Sequence, residues 1–217
     1  MLCLKKNKMS FLIEEIQEDI NWRISEISNL KTIPLRYNML DEHRNTLILY
    51  TVPSLYSIWE GYVKNTFQLL TNYINNLNIH ARLIHINLLT HSVENECLLG
   101  NERKHFEKKI SLVESTLKIY DNKLKIKQAI PTESNVNFKV INKILERFNI
   151  NFLDIKFEKP LNRLLLFRNK IAHGENSIKV NKHDVESFSF LIENLMYDTL
   201  ILIDDYIKNE TYKKNDL

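Results

Sequence analysis

Glycine and proline are nearly missing from this chain, at three and four in 217 residues. Sheets and barrels reverse direction at tight turns that these residues supply, so their scarcity argues for long helices joined by short loops. Cysteine is as scarce. Cys3 and Cys97 lie far apart, which suggests neither a disulfide framework nor a zinc site. No apolar run approaches the ~18–20 residues that span a bilayer. The opening MLCLKKNK has charge but no apolar stretch of signal-peptide length. The expectation is a cytoplasmic protein with no membrane contact. Met9, just before the first amphipathic run, is an alternative start.

What is present fits a single all-α domain. Hydrophobic residues make up 44% of the chain, ordinary for a globular protein, and the length suits one domain of roughly 100–200 residues. Ile13, Ile16, Ile20, Ile24, Ile27 and Leu30 recur at helical spacing behind Ser10, which reads as the cap, and Pro34 marks the way out. A second helix is expected over about 35–77, interrupted or kinked at Pro53. Others are expected over about 80–99, ending at Gly100, and over 102–120. Residues 121–137 lack periodicity and contain Pro131, so they read as a loop. A short helix over 138–148 follows, then one opened by Pro160, then a last one from Asn181 or Lys182 to about Lys208. The bundle should therefore hold six or seven helices over residues 10–208. Residues 1–9 would be an N-terminal extension and 209–217 a polar, frayed tail.

The net charge of +3 says little about partners. Between Asn101 and Arg147, however, 11 Lys and Arg face 6 Asp and Glu. That local excess suits a polyanion, or simply a solvated helix face.

The densest chemistry lies in RNKIAHGE, from Arg168 to Glu175, directly after the apolar run Leu164, Leu165, Leu166 and Phe167. Residues five apart diverge by about 140° on a regular helix, so Arg168 and His173 do not share a face, whereas Asn169 and His173 do. Gly174 suits the left-handed position that ends helices, which places His173 in the last turn. The negative helix end there favours its protonated form. Local unwinding or a second copy of the chain could bring a guanidinium to this imidazole.

A second clue is SIWEGYVKN at residues 57–65. Tyr56, Trp59, Val63, Phe67, Leu70 and Ile74 form one helical stripe, and Glu60 falls inside it. A carboxylate on an apolar face is costly unless paired. Arg168 is the first choice of partner; the alternative is that Glu60 reaches water at the edge of the stripe. Gly61 would let another helix approach closely.

RNKIAHGE, with the WEGYVKN segment in an early long helix, resembles the signature of the HEPN superfamily (higher eukaryotes and prokaryotes nucleotide-binding domain). That signature is an Arg, often followed by a polar residue, then a His after four to six positions. Arg168, Asn169 and His173 match it. The chain is similar to stand-alone bacterial HEPN proteins of defence and toxin–antitoxin loci. The resemblance implies a HEPN-type helical bundle and a metal-independent endoribonuclease with no cofactor. Its site would form across a homodimer, with RNA as substrate and a co-encoded antitoxin or defence protein as possible partner. The imidazole would exchange protons with the ribose 2′-OH and the leaving 5′-oxygen, leaving a 2′,3′-cyclic phosphate. The guanidinium would hold the scissile phosphate. Asn169 would orient His173 or contact the phosphate, and Glu60, Lys170 and Glu175 would support the site. The alternative is an inactive module of this type that binds RNA or a partner protein. In some members a Tyr two residues after the His is modified by a partner nucleotidyltransferase; here Glu175 stands there, and that route of neutralisation is not expected.

Bare spacing is not specific: Arg36 and His43 also meet the pattern, but without the Asn and Gly context. His80, His85 and His91 miss the four-residue spacing of helical metal ligands and read as exposed or capping residues. Asp204 and Asp205 read as a solvated helix end.

Overall fold

Helix α2 (Asp41–Asn76) organises the molecule. In the computed structural model, residues 2–97, 106–126, 135–175 and 177–214 are described. The expected stripe of Tyr56, Trp59, Val63, Phe67, Leu70 and Ile74 is buried along its whole length. Burying such a side chain contributes roughly 1.5–3 kcal/mol, whereas weak helix formers cost at most about 0.7 kcal/mol each. Burial therefore decides this helix. The same balance carries it through Pro53, which costs about 3 kcal/mol in a helix interior: Val52, Leu55 and Tyr56 on either side are buried, and α2 continues without interruption.

Around α2 pack α1 (Leu2–Arg36), α6 (Glu158–Ala172) and α7 (Lys182–Lys208), and α1 also lies on α7. Helix α3 (Ile86–Cys97) packs on α4 (Phe106–Tyr120) and α5 (Phe138–Phe148), and α5 touches α6. The described residues hold seven α-helices and no strand, around one continuous core. The all-α expectation holds. Helix α7 starts on a capping box, in which Asn181 and Asp184 exchange side-chain and backbone hydrogen bonds.

Several boundaries differ from the sequence expectation. Ser10 does not cap α1, which already runs from Leu2; its hydroxyl donates to Glu14 at 2.6 Å. Pro34 lies inside the last turn of α1 rather than beyond it. The third helix does not begin at His80. A single 3-10 turn, Ala81–Leu83, stands there instead, and the segment also pairs its backbone at long range, with Ala81 N–H donating to the Asn122 carbonyl and Leu124 N–H to that of Ile79, both at 2.9 Å. Of the tail expected to fray, residues 210–214 are held. Tyr212 is buried, and its carbonyl accepts from the His85 N–H at 2.9 Å. The expected helix ends near Gly100 and Glu102, and Pro131 in the central loop, lie outside the described residues.

Candidate active site

The end of α6 is a fully formed glycine stop. Gly174 takes φ +72°, a left-handed value that other residues adopt only under strain. Its N–H donates to the Ile171 carbonyl at 3.0 Å, and the Glu175 N–H donates to that of Lys170 at 2.9 Å. This pair of bonds defines the Schellman ending, in which carbonyls left over at the helix end are satisfied. Lys170 Nζ lies 3.5 Å from the Glu175 carboxylate, spanning the same turn. An ion pair this open contributes about 0–1 kcal/mol, so the backbone bonds and the glycine shape the turn more than the charges do.

His173 is the residue between the helix and that glycine. It is exposed, and its N–H donates to the Asn169 carbonyl at 3.0 Å. Among the described residues its imidazole has no hydrogen-bond or ion-pair partner.

Arg168 is held differently. Its guanidinium carbon sits 4.6 Å from the centre of the Tyr56 ring on α2, a cation–π distance. Its Nη1 donates to Asn169 Oδ1 at 2.7 Å. Asn169 thus orients the guanidinium with its side chain and touches His173 only through its backbone. Helix α6 stays regular through Ala172, so no unwinding brings the two chemical groups together. Arg168 leans on α2 while His173 stands at the open helix end, and no contact joins them among the described residues.

Glu60 is not the direct partner of Arg168. Its side chain is 16% exposed and its carboxylate pairs with Lys64 on the next turn, at 2.8 Å. The Glu60 and Arg168 charges both act on Tyr56. Burial raises the pKa of the Tyr56 hydroxyl, the Val136 N–H that donates to it opposes the rise, and the Glu60 charge adds to it. Arg168 acts in the opposite sense. Glu60 and Arg168 therefore act on one phenol in opposite senses.

Two polar arrangements carry no clear mark in the sequence. Tyr56 accepts from the Val136 N–H at 2.8 Å, and Trp59 Nε1 donates to the Val136 carbonyl at 3.0 Å. One turn of α2 thus clamps both backbone groups of a buried residue just ahead of α5. An aromatic pair three residues apart, on the buried stripe beside Glu60, is the signal that was available. The second arrangement is that of Arg23 of α1, only 8% exposed. It bonds Asp19 at 2.7 Å and the Ile58 carbonyl at 2.9 Å. Gly61 does admit a neighbour closely, and that neighbour is this guanidinium: a Cβ at position 61 would meet Arg23 Nη1 at 2.9 Å.

The other histidines separate. His80 and His85 cap local turns through Nδ1, accepting from the Arg82 and Asn87 N–H groups at 3.4 and 3.3 Å. His91 departs from the expectation of an exposed residue. It is buried, with Nδ1 facing Arg147 Nη1 at 3.1 Å. Burial, then the Arg147 charge, lower its pKa to about 4, against a smaller opposite effect of Glu94. No metal-holding group of His, Cys, Asp and Glu occurs among the described residues. Asp204 pairs with Lys208. Arg36 closes α1 and His43 lies in the first turn of α2, both exposed. No described helix is long and apolar enough to cross a membrane.

An all-helical domain whose Arg168–His173 helix end packs against an aromatic early helix fits the class of HEPN domains. The model of the HEPN_MAE_28990-like HEPN family matches residues 12–212, and the chain belongs to that family. No curated protein and no solved structure matches it.

Proposed function

We propose that this protein is a metal-independent endoribonuclease of a bacterial defence or toxin–antitoxin system, working in the cytoplasm. The observation that carries this reading is the division of labour at the end of α6. A guanidinium is pre-oriented by Tyr56 and Asn169, and an exposed imidazole stands at a glycine-stopped helix end. The imidazole can accept a proton through one ring nitrogen and donate one through the other. The guanidinium neutralises charge developing on the phosphate. Acid–base assistance is worth roughly 10²–10⁴-fold and a placed electrostatic donor roughly 10²–10³-fold, enough together for a slow RNA cutter. Because Arg168 and His173 do not touch within one chain, the site is half of a pair, completed by a second copy. Lys170 and Glu175 keep the turn that presents His173, and Glu60 supports Arg168 through Tyr56. A co-encoded protein would restrain the activity.

The test is cleavage of RNA in EDTA by the wild type, Arg168→Ala and His173→Ala, with unchanged helicity and melting temperature in both variants. Full activity of His173→Ala removes that residue from the mechanism. The separation of Arg168 from His173 also favours a second reading, a non-catalytic module that binds RNA or a co-encoded protein. Tight partner binding with no cleavage of any RNA would select it.

A further inference from the structure

Away from the catalytic end, α6 and α7 enclose an open hollow of about 750 Å³. Its apolar part is made by Phe157, Pro160, Leu191 and Phe190, and Phe190 is 68% exposed. An exposed phenylalanine at the mouth of a hollow has no role in the core. The same hollow is lined by Lys156, Lys159, Arg163 and Asp198; Lys156 pairs with Asp198 and Asp154, which leaves Lys159 and the spare donors of Arg163 to face a ligand. An aromatic face beside a lysine unpaired among the described residues and a guanidinium with spare donors suits a nucleic-acid strand, with bases stacked on the ring and phosphates on the charges.

The hollow is joined to His173 by one face of α6. Lys159, Arg163, Leu166, Lys170 and His173 follow one another by four, three, four and three residues, which keeps them within about 80° around a helix. Arg163 bonds Asp184 through one nitrogen and leans on Phe167 and Phe188, while a guanidinium has five N–H donors to offer. Lys170 faces Glu175. Lys159 is exposed and has no carboxylate partner among the described residues. From Lys159 to His173 the row rises about 21 Å at 1.5 Å per residue. A strand stacked at ~3.4 Å per nucleotide would cover it with about six nucleotides.

We propose that this hollow is a substrate subsite. It binds a base of single-stranded RNA on Phe190, with flanking phosphates on Lys159 and Arg163, about six nucleotides from the bond presented to His173. The inference rests on the endoribonuclease reading for its polarity, and names single-stranded RNA as the substrate class.

The probes are 2′-O-methyl uridine oligomers of twelve and three nucleotides, which lack the attacking hydroxyl and stay intact. Binding is measured by fluorescence anisotropy in EDTA over a range of salt. Phe190→Ala should weaken the twelve-mer by at least about fivefold, and should also weaken the three-mer, whose central base and two phosphates suffice to fill the hollow. Lys159→Ala should reduce the slope of log affinity against log salt by about 0.7. Both side chains are exposed, so the variants should melt like the wild type. Twelve-mer binding that is absent in the wild type, or equal in wild type and variants, overturns the subsite. So does a Phe190→Ala protein that changes oligomeric mass while binding RNA normally, because the hollow would then be a protein contact. Normal RNA cleavage with unaltered variant binding removes the subsite alone. A twelve-mer that depends on Phe190, with no cleavage of any RNA, keeps the subsite and removes the nuclease.

Discussion

Replacing Gly174 by alanine should damage catalysis more than stability. An L-residue forced into the left-handed region costs about 1–2 kcal/mol, and Gly174 sits there at φ +72°. A Cβ at this position meets nothing within 4 Å, so no steric term adds to the backbone strain. In a chain of this size each kcal/mol moves the melting temperature by about 2–4 °C, which predicts a fall of roughly 2–8 °C. The alternative escape is to unwind the turn. That sacrifices the bonds from Gly174 to Ile171 and from Glu175 to Lys170, each worth about 1 kcal/mol. Strain and unwinding are thus close in cost, and both leave His173 in a poorly defined position. A displacement of about 1 Å at a reacting group can cost 10²-fold in rate. Gly174→Asn should recover much of both losses, because asparagine tolerates the left-handed region. Thermal unfolding followed by circular dichroism, beside single-turnover RNA cleavage in EDTA, measures the two effects. The reasoning fails if alanine raises the melting temperature, as it does where a glycine's conformation suits it. It also fails if asparagine behaves no better than alanine.

Gly61→Ala gains about 1 kcal/mol of helix propensity but pushes Arg23 from the Ile58 carbonyl, a charged hydrogen bond worth about 1.5–3 kcal/mol. Its urea midpoint should therefore fall, and a stabilised variant would contradict the contact. Tyr56→Phe keeps the ring under Arg168 but strands the buried Val136 N–H, so it should lose about 1–3 kcal/mol of stability with near-normal cleavage. Tyr56→Leu removes the ring as well and should slow cleavage at saturating RNA; a wild-type rate would rule out the cation–π contact as the orienting element. His91, held at about 4 in the fold against about 6.5 unfolded, leaves the unfolded chain binding the extra proton between those values. Its contribution is complete above pH 6.5 and is lost as pH falls toward 4, by up to about 3 kcal/mol. Denaturant titrations of wild type and His91→Gln across that window should converge at low pH, and parallel curves would refute the burial of a neutral imidazole.

The fold was legible wherever one residue face decides the structure. The α2 stripe, the span of α5 and the start of α7 near Asn181 or Lys182 were legible in the apolar pattern. Legibility failed where distant backbone groups competed with local periodicity. Residues 79–85 look helical, yet bond the Asn122 and Tyr212 carbonyls, a pairing that no local pattern encodes. The polar tail hides Tyr212, whose burial depends on a partner segment more than a hundred residues away. At the site, helix geometry alone separated Arg168 from His173. The choice of Glu60 as a direct partner failed because its carboxylate pairs with Lys64 and Arg168 settles over Tyr56, which its spacing marks only as core. Arg23 was invisible as a buried residue, since its tolerance in the interior depends on Asp19, Ile58 and a glycine on another helix.

The account turns on one reaction. RNA incubated in EDTA with the wild-type protein should be cut, and the upstream fragments should end in a 2′,3′-cyclic phosphate. His173→Ala, folded and dimeric, should leave the RNA intact. Intact RNA with the wild-type protein, or cyclic-phosphate ends produced equally by His173→Ala, would contradict the assignment of the α6 helix end as the catalytic half-site.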